Sequence, residues 1–234
     1  KISDMFKALF KNDQAMTVVV SIILVYTSLN ICGNLVLYFF RFDVGNEGAY
    51  SIFAAVAFAA QVLVMMVIPL LRKRFSKSQL FISGFIIQIA GFAVILIMAF
   101  AKLYTPQSWY ILCLPGILIY LGYGMLNVIM TIFLSDSVDY GEVMNGTREE
   151  SVIFSMQTFT VKLASGVAVF LAGLVVDWIH LDTAAAVQTQ DTLDALRMWM
   201  TIPSVILLIV GIFVFKRFYK LDDTRMEEIK SKLN

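Results

Sequence analysis

Six apolar stretches, each long enough to cross a lipid bilayer, set the strongest limit on what this chain can fold into. A hydrocarbon core about 30 Å thick requires roughly 20 predominantly apolar residues per helical span. Six stretches meet this length: Met16–Phe40, Ala49–Leu71, Leu80–Ala101, Trp109–Leu134, Val152–Ile179 and Met198–Phe215. Charged residues make up only 15% of the chain and cluster between these stretches. The sequence therefore predicts an all-α integral membrane protein with six transmembrane helices.

Basic residues divide unevenly between the two sides that six spans define. The termini and the loops on their side contain fourteen basic residues, whereas the opposite loops contain only Arg41, Lys102 and Arg197. Cytoplasmic segments of membrane proteins carry an excess of Lys and Arg. We therefore expect both termini in the cytoplasm. The predicted organisation is an amphipathic cytoplasmic lead-in at 1–14, a six-span bundle at 15–217 and a charged cytoplasmic tail at 218–234.

The composition argues against several other classes of function. A formal net charge of +1 gives no electrostatic support for nucleic-acid binding. The single histidine, His180, and the two cysteines, Cys32 and Cys113, are too few for a metal site or a disulfide framework. No zinc-protease motif, nucleophile–base set or pair of intramembrane carboxylates indicates an enzyme. We predict no catalytic residue, no metal site and no cofactor, and keep a scaffold or channel domain as the alternative to a transporter.

Three of the six spans carry polar residues on one helical face, at spacings of three or four residues. The stripes are Thr27, Asn30, Asn34 and Tyr38 in span 1, Tyr120, Tyr123, Asn127 and Thr131 in span 4, and Ser155, Gln157, Thr158, Lys162 and Ser165 in span 5. Polar groups that face lipid are costly, so such stripes face protein or water. Hydrogen bonding between helices would explain one stripe alone. Three striped spans beside two plain ones favour a cavity lined by spans 1, 4 and 5.

Lys162 is the most informative single residue. It lies about ten residues into span 5, which at a rise of 1.5 Å per residue is roughly 15 Å deep, near the bilayer midplane. An ionised lysine there costs on the order of 3 kcal/mol on insertion scales. A structural ion pair is one interpretation, but Asp177, the other charged residue of the span, lies near its outer end. The sequence favours a lysine that faces water and ligand.

The segment between spans 4 and 5 is densely charged. Asp136 and Asp139 follow span 4 directly, at a helix C-terminus where the helix dipole disfavours anions. Such a placement predicts cationic partners, either Arg148 or the Arg72–Arg74 cluster. A solvated loop, with turns at Gly141 and Asn145-Gly146, is the alternative to a charged latch on the cytoplasmic face.

The same segment carries a resemblance to a known family. Asp136 to Glu142 reads Asp-Ser-Val-Asp-Tyr-Gly-Glu, and Arg148-Glu149-Glu150-Ser151 follows. The next span includes Ser155-Met156-Gln157-Thr158-Phe159-Thr160-Val161-Lys162. With Pro203 and the tail at 218–223, this series resembles the C-terminal half of the glycoside–pentoside–hexuronide:cation symporters.

This resemblance implies a fold, a function and a set of site residues. The fold would be one half of a major-facilitator transporter, a six-helix bundle built from two inverted three-helix repeats. The function would be transport of a sugar coupled to Na⁺ or H⁺ across a bacterial cell membrane. The partner would be an N-terminal six-helix half that holds the cation site. Together with the stripes, the resemblance gives two candidate groups. The substrate-binding group is Lys162, Gln157, Thr158, Val161, Asn127, Tyr123, Asn30 and Asn34, and the cytoplasmic gate is Asp136, Asp139, Glu142, Arg148 and Glu150.

Overall fold

The structure, a computed structural model, describes residues 10–233, which form a bundle of long helices with one short helix at the end. The helices are α1 (Asp13–Tyr38), α2 (Ala49–Leu71), α3 (Lys77–Phe100), α4 (Cys113–Asn145), α5 (Glu150–Trp178), α6 (Gln190–Phe218) and α7 (Asp223–Leu233). A π-helical segment, Phe39–Val44, extends α1, and a 3₁₀ turn, Trp109–Leu112, leads into α4. Helices α1 to α6 are long and apolar enough to cross a membrane. The all-α membrane fold is therefore confirmed. Most of the predicted lead-in at 1–14 lies outside the described residues.

Side chains at the helix starts supply caps for unpaired backbone N–H groups. The side chain of Asn12 accepts a hydrogen bond from the amide of Ala15 at the start of α1. Ser76 and Gln79 form a reciprocal capping box at the start of α3. At the start of α6 the side chain of Thr189 accepts a hydrogen bond from the amide of Thr192. These caps fix the ends of the helices that approach the membrane surface.

The packing of the six long helices is symmetric: α1–α3 and α4–α6 make equivalent contacts. Helix α1 packs mainly on α6 and α5, and α4 packs mainly on α3 and α2. Exchanging α1–α3 for α4–α6 turns each of these pairings into the other. Helices α1 and α4 form the centre, where more than half of each apolar segment is buried, against less than a third for α2 and α5. This pattern is that of two inverted three-helix repeats.

Helix α4 continues well beyond the apolar stretch that predicted it. The expected loop from Ser135 to Ser151 is wrong, because α4 ends only at Asn145, where Gly146 adopts a left-handed conformation with φ of 71°. Gly141 forms no turn: it is buried in α4, and a methyl group there would lie 2.7 Å from the amide nitrogen of Asn12. Charge density marks the edge of the bilayer, but a helix can continue into water where tertiary contacts hold it.

Tertiary contacts from the chain ends hold this extension of α4. The side chain of Asn12 donates a hydrogen bond of 2.7 Å to the carbonyl of Ser137. On another side of α4, Met226 and Ile229 of α7 are buried together with Leu221. They pack against Tyr140 and Val143 of α4. The membrane side that contains this extension, residues 10–13, residues 72–77 and residues 219–233 is called the basic face below, and the other side the opposite face.

Candidate functional site

An aromatic and amide cluster joins α1 and α4 in the middle of the bundle. The side-chain nitrogen of Asn127 donates a 2.6 Å hydrogen bond to the hydroxyl of Tyr26. The rings of Tyr26 and Tyr123 meet edge to face, with centroids 5.5 Å apart, and Tyr120 lies beside Tyr123 at 6.4 Å. Two of the predicted substrate residues, Asn127 and Tyr123, therefore belong to one cluster. Both are largely enclosed by their own bundle, and Tyr123 is buried.

The other predicted residues of α1 lie one and two turns from this cluster. Asn30 and Asn34 each donate a 2.7 Å hydrogen bond to the carbonyl four residues earlier, Tyr26 and Asn30 respectively. The side-chain oxygens of both asparagines accept no hydrogen bond from the described residues. Asn34 also lines a groove of about 540 Å³ between α1 and α5, together with Tyr38 and Asp177. A groove of this size has the volume of a small-molecule site.

On α5, the predicted residues lie on a face that its own bundle covers little. Thr158 is exposed, Gln157 and Val161 are half-buried, and the Gln157 amide lies 3.5 Å from the hydroxyl of Thr131 on α4. Thr158 donates a 3.3 Å hydrogen bond to the carbonyl of Phe154. This face of α5 is therefore polar, partly open and adjacent to α4.

Lys162 is exposed on α5 and has no hydrogen bond or ion pair within residues 10–233. The carboxylates that the described structure pairs with cations all lie toward the two ends of the bundle. Within residues 10–233, no carboxylate pairs with Lys162, in agreement with the sequence, which has no acidic residue near its depth in span 5. A charged group left this way in the middle of an apolar helix needs water, a ligand or another polypeptide.

Four of the five predicted gate residues come together at the basic face. The Arg148 guanidinium donates hydrogen bonds to Glu142 at 2.8 Å, Asp139 at 3.0 Å and Glu150 at 3.2 Å. These bonds, in the same order, raise the pKa of Arg148 above its ordinary value. Because Arg148 stands in the four-residue connection between α4 and α5, the cluster ties the end of one helix to the start of the next.

The fifth gate residue, Asp136, does not join this cluster. It is buried and pairs with Lys77, the first residue of α3, which is also buried. The prediction of Arg148 or the Arg72–Arg74 cluster as the partner of Asp136 is therefore wrong. Asp139 points to Arg148 because it lies three residues further along α4, about 60° away around the helix.

Helix α7 adds a second carboxylate to the Lys77 pair. Asp223 lies 3.5 Å from the Lys77 ammonium and 3.2 Å from the Arg72 guanidinium. Burial opposes ionisation of Asp223, but the hydrogen bond from Arg72 and the charges of Arg72 and Lys77 outweigh it. The pKa of this carboxyl is therefore held below its ordinary value.

A second buried ion pair lies at the opposite face. The Arg197 guanidinium on α6 donates two hydrogen bonds to the carboxylate of Asp43, at 2.6 and 2.7 Å, and one to Asp194 at 2.7 Å. The hydroxyl of Tyr104 donates to Asp43 at 2.8 Å. The ring of Phe100 lies 5.6 Å from the Arg197 guanidinium carbon. This cluster fixes the π-helical end of α1 to the start of α6.

Comparison with known proteins assigns the chain to a family. A family described as "MFS/sugar transport protein" matches residues 1–223, almost the whole chain. The chain belongs to this sugar-transporter family. The family resemblance drawn from the segment between Asp136 and Lys162 is therefore confirmed.

Three relatives show the range of similarity. The chain is 25% identical over 233 residues to an uncharacterized symporter, YjmB, of Bacillus subtilis (strain 168), covering all of this chain and 49% of the relative. It is 23% identical over 234 residues to the raffinose carrier protein of Pediococcus pentosaceus, with 99% and 35% covered. It is 25% identical over 223 residues to the isoprimeverose transporter of Lactiplantibacillus pentosus, with 94% and 44% covered. The chain thus spans half or less of the length of these relatives.

Several polar groups of this sugar transporter were not predicted from the sequence. Tyr26 continues the series Asn30, Asn34 and Tyr38 at steps of four residues, and this regular spacing could have revealed it. Lys77 and Asp43 carry no comparable signal, because their partners are 59 and 154 residues away in the chain. Among the described residues, no group of histidines, cysteines and carboxylates could hold a metal ion.

Proposed function

We propose that this chain is the C-terminal six-helix bundle of a secondary symporter that carries a glycoside, pentoside or hexuronide together with Na⁺ or H⁺. Membership of a sugar-transporter family and the coverage of half or less of its relatives support this assignment. The membrane is a bacterial cell membrane, and the basic face is cytoplasmic. An N-terminal six-helix half completes the protein and contributes the cation site.

The observation that carries this proposal is the unpaired Lys162 on the open polar face of α5. The insertion cost of a midplane ammonium would be avoided by almost any other residue, so its presence needs a compensating role. Thr158 lies one turn earlier on the same side, and Gln157 and Val161 flank the pair. An ammonium with three donors, next to hydroxyl and amide groups, suits the many hydroxyl oxygens of a sugar.

The cluster on α1 and α4 forms the remaining part of the proposed sugar site. Asn127 and Tyr123 stiffen its wall through the hydrogen bond and ring contacts to Tyr26. Asn30 and Asn34 leave their side-chain oxygens available to accept from sugar hydroxyls. The N-terminal half would close this open face, so both halves bind the sugar between them.

Alternating access follows from rocking of the two halves about this midplane site. The cluster of Arg148 with Asp139, Glu142 and Glu150 lies at the cytoplasmic mouth in the proposed orientation. Because it fixes the ends of α4 and α5, it is the proposed cytoplasmic gate. Asp136, through Lys77, supports the gate from the neighbouring side of α4.

The test compares insertion with uptake for substitutions of Lys162 in the full-length protein. Lys162→Val removes the insertion cost, so the membrane level should equal or exceed that of the unchanged protein, while uptake of its sugar falls by at least about 100-fold. Lys162→Arg keeps the charge but changes the donor geometry, and should recover only part of the uptake. The measurement is uptake of radiolabelled sugars, found by a screen of neutral sugars, pentosides and uronates, normalised to membrane level.

A matched control removes a lysine outside the spans. Lys232 is exposed on α7, and Lys232→Val should leave membrane level and uptake unchanged. Normal coupled uptake by Lys162→Val would show that this lysine takes no part in binding. Failure of the full-length protein to take up any sugar of the screen would favour a scaffold or channel function.

A further inference from the structure

The two buried ion pairs occupy equivalent places in the two three-helix repeats. Asp43 follows the first helix of the first repeat, and Arg197 stands near the start of the third helix of the second. Asp136 is near the end of the first helix of the second repeat, and Lys77 begins the third helix of the first. Exchange of the repeats turns one pair into the other and moves it to the other membrane face. All four side chains are at most 8% exposed.

The contact of α6 with α1 and the contact of α3 with α4 lie at the same distance along the chain from the cation of each pair. On α6, Ser204 lies seven residues after Arg197, and on α3, Gly84 lies seven residues after Lys77. Ser204 and Ser28 of α1 exchange hydrogen bonds of 2.8 and 3.1 Å to each other's carbonyls. At the equivalent crossing, the backbones of Gly84 and Gly122 of α4 touch. A methyl group on Gly122 would lie 2.5 Å from the Gly84 carbonyl oxygen.

The number of residues between the helix crossing and the carboxylate differs by one in the two repeats, and the π-helix explains the difference. Asp43 lies fifteen residues after Ser28, whereas Asp136 lies fourteen residues after Gly122. The segment from Ser28 to Asp43 includes Phe39–Val44, which is π-helical, whereas the segment from Gly122 to Asp136 is α-helical throughout. A π-bulge accommodates one extra residue in a helix. The extra residue is therefore absorbed, and both carboxylates reach the same position relative to their crossings.

A tyrosine accompanies each pair. Tyr104 follows α3 and donates to Asp43. Tyr219 follows α6, and burial followed by the negative charges of Asp136, Asp223 and Asp222 raises its pKa. The Tyr219 hydroxyl is buried without a hydrogen-bond partner in the described part of the chain. Tyr219 thus lies in the field of Asp136, as Tyr104 lies against Asp43, although its hydroxyl does not reach the carboxylate.

The two pairs differ in the source of their second carboxylate. At the opposite face, Asp194 belongs to the same helix as Arg197, three residues earlier. At the basic face, Asp223 comes from α7, outside the six-helix bundle. The opposite-face pair is therefore complete within the bundle, whereas the basic-face pair depends on docking of the tail helix.

We propose that Asp43–Arg197 and Asp136–Lys77 are one positioning contact made twice, once at each membrane face, and that the tail helix completes only the basic-face copy. Each pair fixes the helix ends at its own face. The basic-face pair also sets the rotation of α4, so that Asp139 and Glu142, three and six residues later, point to Arg148. Only this last role depends on the proposed transport function.

Hydrogen–deuterium exchange of the full-length protein in detergent tests the equivalence without reference to transport. Removing one partner of a buried pair leaves an uncompensated buried charge, so the rate of hydrogen exchange through local opening should increase by more than about tenfold. Asp43→Asn should raise exchange in residues 101–112 and 190–197 and leave residues 72–80 and 219–233 unchanged. Asp136→Asn should do the reverse. Changes at both faces for either variant, or at neither, would overturn the proposal.

Two further variants keep the test decisive if a single substitution prevents folding. Asp43→Asn with Arg197→Gln removes both charges together, which is far less costly than removing one, and should still raise exchange only at the opposite face. Glu228→Gln is the control, since it removes a carboxylate from the exposed Arg225–Glu228 pair. It should change exchange less than about twofold at either face.

The positioning role is tested by rescue and by access to the gate. Because the equivalent pair uses arginine, Lys77→Arg should keep the wild-type behaviour, whereas Lys77→Gln should not. The reporter is the rate of thiol labelling of Ser155→Cys, behind the gate, in a protein with Cys32→Ala and Cys113→Ala. Lys77→Gln, Asp136→Asn and Asp223→Asn should each raise this rate at least about threefold, and Asp43→Asn should not. An unchanged rate in the three basic-face variants, with the expected exchange pattern, would reject the gate role and leave the equivalence of the pairs standing.

Discussion

At Gly122 the backbones of α3 and α4 lie too close together to leave space for a side chain. An added methyl group would lie 2.5 Å from the carbonyl oxygen of Gly84 and 2.6 Å from the backbone nitrogen of Gln88. Both atoms belong to the backbone of α3, so neither can rotate away as a side chain could. The close contact of α3 and α4 therefore requires glycine at this position, as small residues generally permit close helix packing in membranes.

We predict that Gly122→Ala destabilises the bundle by about 1–3 kcal/mol, since overpacking at a rigid contact forces the backbone apart. The measurement is thermal or denaturant unfolding of the purified full-length protein in detergent. Gly48→Ala is the matched control, because its methyl group would meet only the Asn46 side-chain oxygen, at 3.8 Å. Equal stability of the two variants would show that α3 and α4 are less tightly packed than the structure indicates.

At the scale of helices, the extension of α4 beyond the apolar stretch is the element on which the proposed gate depends. It presents Asp139 and Glu142 to Arg148 on one side, Asp136 to Lys77 on another, and Tyr140 and Val143 toward α7 on a third. Each partner comes from a different segment of the chain. The end of α4 is therefore held from several directions, and its rotation is well defined.

We predict that Asp139→Asn impairs transport without reducing insertion. Asp139 is only 17% exposed as a side chain and accepts from Arg148, which also bonds Glu142 and Glu150. Loss of one carboxylate weakens but does not remove the cluster, and an ion pair whose cation is exposed, as Arg148 is, contributes about 1 kcal/mol. We therefore expect a two- to fivefold fall in uptake at unchanged membrane level, and higher labelling of Ser155→Cys. Glu227→Gln, on the exposed face of α7, is the control and should have no effect. Wild-type uptake by Asp139→Asn would remove this carboxylate from the gate.

The helices themselves were predictable to different degrees from the sequence. Length and hydropathy were enough for the six spans, because the bilayer imposes both. They could not give the end of α4, since the helix continues where tertiary contacts replace lipid. The motif after span 4 predicted the partners of Arg148, which are close in sequence. The partners of Asp43 and Asp136 depend on the packing of helices that are distant in the chain, and no local pattern encodes them.

At the scale of the whole molecule, the distribution of charge predicts how the bundle lies in the membrane. Of the sixteen basic residues within the described range 10–233, twelve belong to the basic face and three to the opposite face. Trp178 and Trp199, whose rings lie 5.4 Å apart, stand near the opposite face, where aromatic residues favour the interface. Both features support a cytoplasmic basic face.

We predict that Asn145→Cys is labelled by a membrane-impermeant thiol reagent only after the cells are permeabilised, because the proposed orientation places the connection after α4 in the cytoplasm. Asn145 is exposed, so burial would not prevent its labelling. Ala186→Cys, in the exposed connection between α5 and α6, is the control and should be labelled in intact cells. Labelling of Asn145→Cys in intact cells would reverse the orientation.

The odd number of helices in each repeat has a consequence for the evolution of the bundle. A unit with an odd number of membrane crossings ends on the side opposite to its start, so a second copy fused in tandem enters the bilayer upside down. If the bundle descends from one duplicated unit, the codons for Asp43 and Asp136 are copies of one ancestral codon that now serve opposite compartments. The same contact would then have been retained separately on the two sides of the membrane, and substitutions tolerated at one face would predict those tolerated at the other.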